Sequence, residues 1–264
     1  MFWLNLIPIP RRFEKLPGAF AFAFAAAAVL YFAKEGTRLS IALLAASVIF
    51  LILVYLLRAR QKKEWEQFFY EENRHLLDMK GSTGPNRYIA RQREVVSKLR
   101  NRELKIPAQL NLSAALLANA DPSGALEVLL SMDPTTLPLP TFQLIYWTQT
   151  LGAYLQLDDP ERVEAAYEMA IGTFPEVSDM LKISFMPSEI QYRLFRGEYE
   201  LALNQLGEIP TKDLDEAGQA LLTALRIWAL RGVGAIEKAN KLTEQLQMQD
   251  LLPSTKALLH KVSF

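Results

Sequence analysis

Two uncharged apolar runs, Pro17–Ala33 and Leu39–Leu57, dominate the start of the chain, separated only by Lys34, Glu35, Gly36, Thr37 and Arg38. At ~1.5 Å of rise per residue they reach roughly 26 and 29 Å as helices, close to the ~30 Å hydrocarbon core of a bilayer. The pattern therefore predicts a transmembrane hairpin over residues 17–57. Small residues at Ala25–Ala28, Ala42, Ala45, Ala46 and Ser47 suit close helix packing. Residues 1–16, broken by Pro8 and Pro10, predict an interfacial segment with Trp3 at headgroup depth.

Beyond Leu57 the pattern becomes amphipathic. Trp65, Phe68, Phe69, Leu76, Leu77 and Met79 recur at helical spacing, predicting a helix over Gln61–Lys80 that rests on lipid or packs on neighbouring helices. Gly81 to Asn86, with two Gly and one Pro, predicts a hinge; no Gly-Lys-Ser/Thr follows to make it a phosphate loop. Asn86–Lys105 predicts a basic helix, so residues 58–105 form a basic helical region. From Ile106 on, apolar helical stretches of 10–20 residues are punctuated by Asp121-Pro122, Asp133-Pro134, Pro138, Pro140, Asp158-Asp159-Pro160, Pro175, Gly197, Pro210, Gly232, Gly234 and Pro253. Strand alternation is scarce. Short helical hairpins in series imply an all-α array. Pro187 predicts an irregular or kinked helix over Glu176–Pro187.

Within that array, Trp147 is followed by Tyr154, a turn at Asp158-Asp159-Pro160, then Val163, Tyr167 and Ala170, and a closing Pro175. This order and spacing resemble the tetratricopeptide repeat, although Leu151-Gly152 is displaced by one from the family's Leu-Gly pair. Arg196-Gly197-Glu198-Tyr199-Glu200-Leu201-Ala202-Leu203 resembles the family's inter-helix turn and second helix. Ser123–Leu129 and Gly234–Ala239 are weaker echoes. The resemblance implies that residues 106–264 are an α-solenoid of about four units of ~34 residues, each burying its apolar face only against its neighbours. It implies packing roles for Trp147, Tyr154, Tyr167, Ala170, Pro175, Gly197, Tyr199 and Ala202, and a protein or peptide partner whose identity it does not give.

Charge adds an asymmetry that the formal net charge of +0 conceals. Residues 58–105 hold 13 Lys/Arg against 7 Asp/Glu, a net of +6, and residues 106–264 hold 11 against 20, a net of −9. Arg58, Arg60, Lys62, Lys63, Arg87 and Arg91 are candidates to face anionic lipid. The acidic distal part argues against nucleic acid as a partner. Arg11, Arg12 and Lys15 before the first run, and Arg58–Lys63 after the second, outnumber Lys34 and Arg38 in the loop. The positive-inside rule then places both termini in the cytoplasm, taken here as that of a bacterial plasma membrane.

The chemistry-bearing residues are few. The absence of Cys excludes disulfides, thiolate catalysis and Cys-ligated zinc, and the two His, His75 and His260, lie far apart. Asp158, Asp159, Glu161, Glu164 and Glu168 cluster in sequence, either as a cation site or paired carboxylates, or as a solvated helix start favoured by the helix dipole. No residues are assigned to catalysis, a metal or a cofactor. The expectation is an all-α, non-enzymatic, membrane-anchored scaffold or adaptor. The alternatives are a structural or assembly subunit of a larger membrane complex, and an enzyme whose site has no recognisable motif.

Overall fold

The computed structural model describes residues 37–76, 79–210 and 214–262, and these are helical without any strand. The chain divides into two units, one ending at Glu71 and the other taking in Glu72–Phe264. The helix α1 runs unbroken over Thr37–Leu76, all but its last five residues in the first unit. Trp65 and Phe68 are buried, and the Trp65 and Phe69 rings lie 5.3 Å apart. Val48, Ile49, Leu51, Ile52, Leu53 and Leu56 are exposed.

The two-span membrane reading is overturned here. Among the described residues no helix is long and apolar enough to cross a membrane. Pro17–Ala33 lies outside the described residues, as does the interfacial segment. Leu39–Leu57 is the opening of a helix that continues through charged sequence to Leu76. The uncharged stretch Leu39–Leu57 has no end of its own in this helix, which runs straight on through Arg58, Arg60, Lys62 and Lys63. The cytoplasmic orientation rests on those spans and falls with them.

The second unit is a series of helical hairpins. Following α2 (Gly84–Lys98) come α3 (Arg102–Ala118) with α4 (Pro122–Leu130), and α5 (Pro140–Leu157) with α6 (Pro160–Gly172). The next pairs are α7 (Asp179–Phe195) with α8 (Tyr199–Glu208), and α9 (Glu216–Gly232) with α10 (Ile236–Gln247), before α11 (Pro253–Val262) closes the series. Single 3-10 turns, Pro134–Thr136 and Phe174–Glu176, precede α5 and α7. The hairpins open at Arg102, Pro140, Asp179 and Glu216, and α11 opens at Pro253, so successive starts are 38, 39, 37 and 37 residues apart. That period exceeds the ~34 residues expected from the repeat resemblance.

Local chemistry sets these boundaries. The side chains of Asn101, Asp121, Asp159 and Asp215 accept the backbone N–H of Glu103, Gly124, Arg162 and Gly218 at 3.0, 2.9, 3.2 and 2.8 Å. Each satisfies a donor that a helix start leaves orphaned, and Pro122 and Pro160 fill first-turn positions that need no donor. The same logic shortens the expected hinge, because Gly84 and Pro85 already belong to α2. The expected basic helix Asn86–Lys105 is broken: Leu99 turns extended at ψ 114°, Asn101 caps a new helix, and Lys105 belongs to α3. Pro107 and Pro187 both sit inside helices, α3 and α7.

Each hairpin packs on the next, and the opening helices form a circuit. α3 packs on α5, α5 on α7, α7 on α9, α9 on α11, and α11 back on α3. Apolar clusters fill the contacts, and Phe142, Leu144, Leu151, Phe185, Ile190, Leu225 and Ile227 are fully buried. α5 is buried almost all round, including Thr148 and Thr150, whose hydroxyls donate to Leu144 and Tyr146 carbonyls one turn back. Ser113 of α3 hydrogen-bonds the buried Gln149 of α5.

Candidate functional site

The circuit of helices closes where α11 and the turn before it meet α3 and the turn before α2. The turn before α2 carries Met79, Gly81 and Ser82. Met79 and Leu252 join one apolar cluster with Tyr88 and Leu112. The Asp250 carboxylate accepts the Ser82 backbone N–H at 3.2 and 3.3 Å. Gly81 holds φ +68°, and a Cβ there would lie 2.1 Å from Asp250 Oδ2. Only glycine meets both demands.

From that clasp α11 lies on α9. Leu251 and Leu259 are buried with Ala220, Ala224 and Ile227, and Leu258 packs on Leu225 and its neighbours. At its far end Lys261 forms an ion pair with Asp158 and sits over the Trp228 ring, 5.8 Å from its centroid. Asp158 ends α5 in the left-handed region at φ 56°. A carboxylate and an aromatic face together hold one ammonium group.

The sequence cluster of acids is therefore split by the fold. Asp158 serves α11, Asp159 caps α6, and Glu161 and Glu168 are exposed. Glu164 accepts from the Tyr192 hydroxyl at 2.6 Å and pairs with Arg196 at 2.9 Å. Among the described residues no three His, Asp or Glu side chains gather as a metal site.

Around Glu164 the α6–α7 contact is aromatic and charged. Tyr167 and Tyr192 stack at 3.8 Å with 9° between planes, and the Arg196 guanidinium lies 5.9 Å from the Tyr192 ring. Burial first, and Glu164 second, push the Tyr192 phenol above its ordinary range; burial first does the same to Tyr167. Arg193 bridges Glu189 at 2.9 Å and Glu198 at 3.1 Å, and the bond to Glu189 holds it still more firmly protonated.

The residues assigned packing roles are placed as follows. Trp147 is half-buried, edge-on to Tyr146 at 4.9 Å, and packs with Tyr154 and Tyr167 on the cluster containing Val163, Ala170 and Phe185. Pro175 is exposed in the 3-10 turn, and Gly197 makes its turn at φ +77°. Tyr199 packs on the next cluster with its ring over Gly232, and Ala202 is fully buried. Of the basic candidates, Arg60 pairs with Glu64 at 3.1 Å and Lys62 with Glu66 at 3.6 Å along α1, while Lys63 is exposed and Arg58 half-buried. Arg87 donates to Thr83 Oγ1 at 3.4 Å, and Arg91 is half-buried.

The sequence reading missed a buried carboxylate. Glu72 is 2% exposed and accepts from Tyr88 Oη at 2.7 Å, from Asn111 Nδ2 at 3.1 Å and from Gln92 Nε2. All three donors are neutral, and burial, followed by the charge of Glu72, raises the Tyr88 phenol far above its usual range. The signal was present: Glu72 is seven residues from Trp65 and four from Phe68, on the apolar stripe itself.

No family model, curated protein or solved structure matches this chain.

Proposed function

We propose that residues 84–262 are a protein-interaction scaffold, a tetratricopeptide-like α-solenoid that holds a helical segment of a partner protein. The observation that carries this reading is α11. The array already holds a helix of its own, docking its leucines on α9 and seating its lysine between Asp158 and Trp228. Serial hairpins present long, rigid, similar faces, which suit recognition of an extended or helical ligand. The period of 37–39 residues departs from the repeat family and leaves room for longer junctions such as the two 3-10 turns.

The test is affinity capture of the full chain carrying a photo-crosslinking residue at Gln156 or at Asn240, followed by identification of the joined peptides. A stoichiometric protein partner joined at these positions supports the scaffold. A co-purifying small molecule that the chain converts, with no protein partner, overturns it.

A further inference from the structure

We propose that α11 is a built-in gate: it occupies, in cis, the docking site for a partner helix, and the partner must displace it. The proposal rests on the scaffold reading above and adds the ligand's chemistry. The occupant of the site is an amphipathic helix with paired apolar residues followed two positions later by a lysine, the pattern of Leu258-Leu259-His260-Lys261.

Three features argue for it. First, α11 contacts both α9 and α3, and so joins the last hairpin to the first of the series. Lifting α11 uncovers apolar surface on α9. Second, the ammonium seat is made by the array: Asp158 comes from the end of α5 and Trp228 from α9, and α11 supplies only the cation. A seat built by distant helices accepts any correctly placed ammonium. Third, α11 is a ten-residue helix in which only Thr255 and Leu259 are buried; Leu258 and Val262 are partly buried against the α9 clusters, and the preceding turn is clasped by the Asp250 carboxylate on Ser82. Helices this short have little stability of their own, so docking contacts decide whether α11 stays. A site closed most of the time binds a ligand more weakly in proportion to the open fraction.

The experiment uses the full chain and a fluorescent synthetic peptide of residues 249–264. The double variant Asp250→Ala with Lys261→Glu loosens the clasp and the ammonium contact while leaving every apolar core residue in place. The peptide should bind this variant at least about tenfold more tightly than the wild-type chain, and a peptide carrying Lys261→Glu should lose about tenfold of that affinity. No binding to a variant whose circular dichroism matches wild type, or equal binding of both peptides, overturns the gate. Should the variant misfold, hydrogen exchange of the wild-type chain decides: Lys256–Val262 amides should exchange well ahead of those in α9, and simultaneous exchange overturns the proposal. Capture of a partner equally by wild type and variant would sink the gate and leave the scaffold standing; capture of no partner by either would sink both.

Discussion

Lys261, in the last turn of α11, pairs with Asp158, the left-handed residue that ends α5, 103 positions earlier in the chain. Both side chains are partly exposed, at 37% and 58%, so water and salt screen the attraction. Asn tolerates the left-handed region, so Asp158→Asn removes the charge and keeps the turn. The expected loss is under ~1 kcal/mol in urea melts at low salt, shrinking toward zero near ~1 M salt. A loss that high salt leaves untouched would show that Asp158 acts through the turn rather than through Lys261.

The clasp predicts a coupled pair. Gly81→Ala forces a side chain into the left-handed region and into the space of Asp250 Oδ2. It should cost about 1–3 kcal/mol, of which ~1–2 is backbone strain. Asp250→Ala removes the acceptor of Ser82 N–H and also the clash. In a double-mutant cycle the two changes should therefore cost less together than their sum. Strict additivity would mean that the Asp250 carboxylate does not hold the turn.

Glu72 predicts an asymmetry between donor and acceptor. Glu72→Ala leaves the buried Tyr88 and Gln92 and the partly buried Asn111 around a missing acceptor and should cost about 3–5 kcal/mol. Tyr88→Phe removes one of three donors and should cost only about 1–2 kcal/mol. Equal penalties in denaturant melts would show that packing around Glu72, rather than its hydrogen bonds, is what matters.

Much of the second unit was legible in the sequence because its punctuation has a local cause. Asp-Pro pairs at 121–122 and 158–160 announce a cap and a first turn, and the structure starts helices there. The break at Leu99 was missed because Asn101 lacks a following Pro and its cap bond is visible only in three dimensions. What sequence could not supply was closure. Nothing local marks Ser82 for Asp250, 168 residues on, or Lys261 for Asp158, and both depend on how the hairpins turn. The apolar run Leu39–Leu57 misled for the opposite reason: composition was read as an independent span, whereas the helix continues to Leu76.

Alkaline pH tests the buried phenols. Tyr88, Tyr146, Tyr167 and Tyr192 all have pKa values raised above the ordinary 10.0, in each case first by burial. A group whose pKa is raised on folding binds its proton more tightly in the folded chain. Its contribution is complete below the unfolded value and is lost as pH climbs from about 10 toward the folded value. Stability should thus fall above about pH 10, by up to ~1.4 kcal/mol per pH unit for each tyrosine still protonated in the fold. Tyr88→Phe should remove about one proton's worth of that slope. An unchanged slope would place the alkaline sensitivity elsewhere.

The final prediction compares two neighbours on α5. Leu151 is fully buried in the cluster that joins α5, α6 and α7, whereas Trp147 is half-buried at its edge. Leu151→Ala leaves a cavity that helices packed on several sides of α5 cannot all collapse into, and should cost about 3–5 kcal/mol. Trp147→Ala removes a larger ring, but one whose space water can reach, and should cost about 2–3 kcal/mol. Because α5 packs on α3, α4, α6 and α7, the Leu151 change should also broaden the unfolding transition, as hairpins on either side lose a common neighbour. A sharp transition at lowered denaturant would mean that the closed circuit unfolds as one unit. A Trp147 penalty exceeding that of Leu151 would mean that the half-exposed ring, and not the buried leucine, holds this part of the array together.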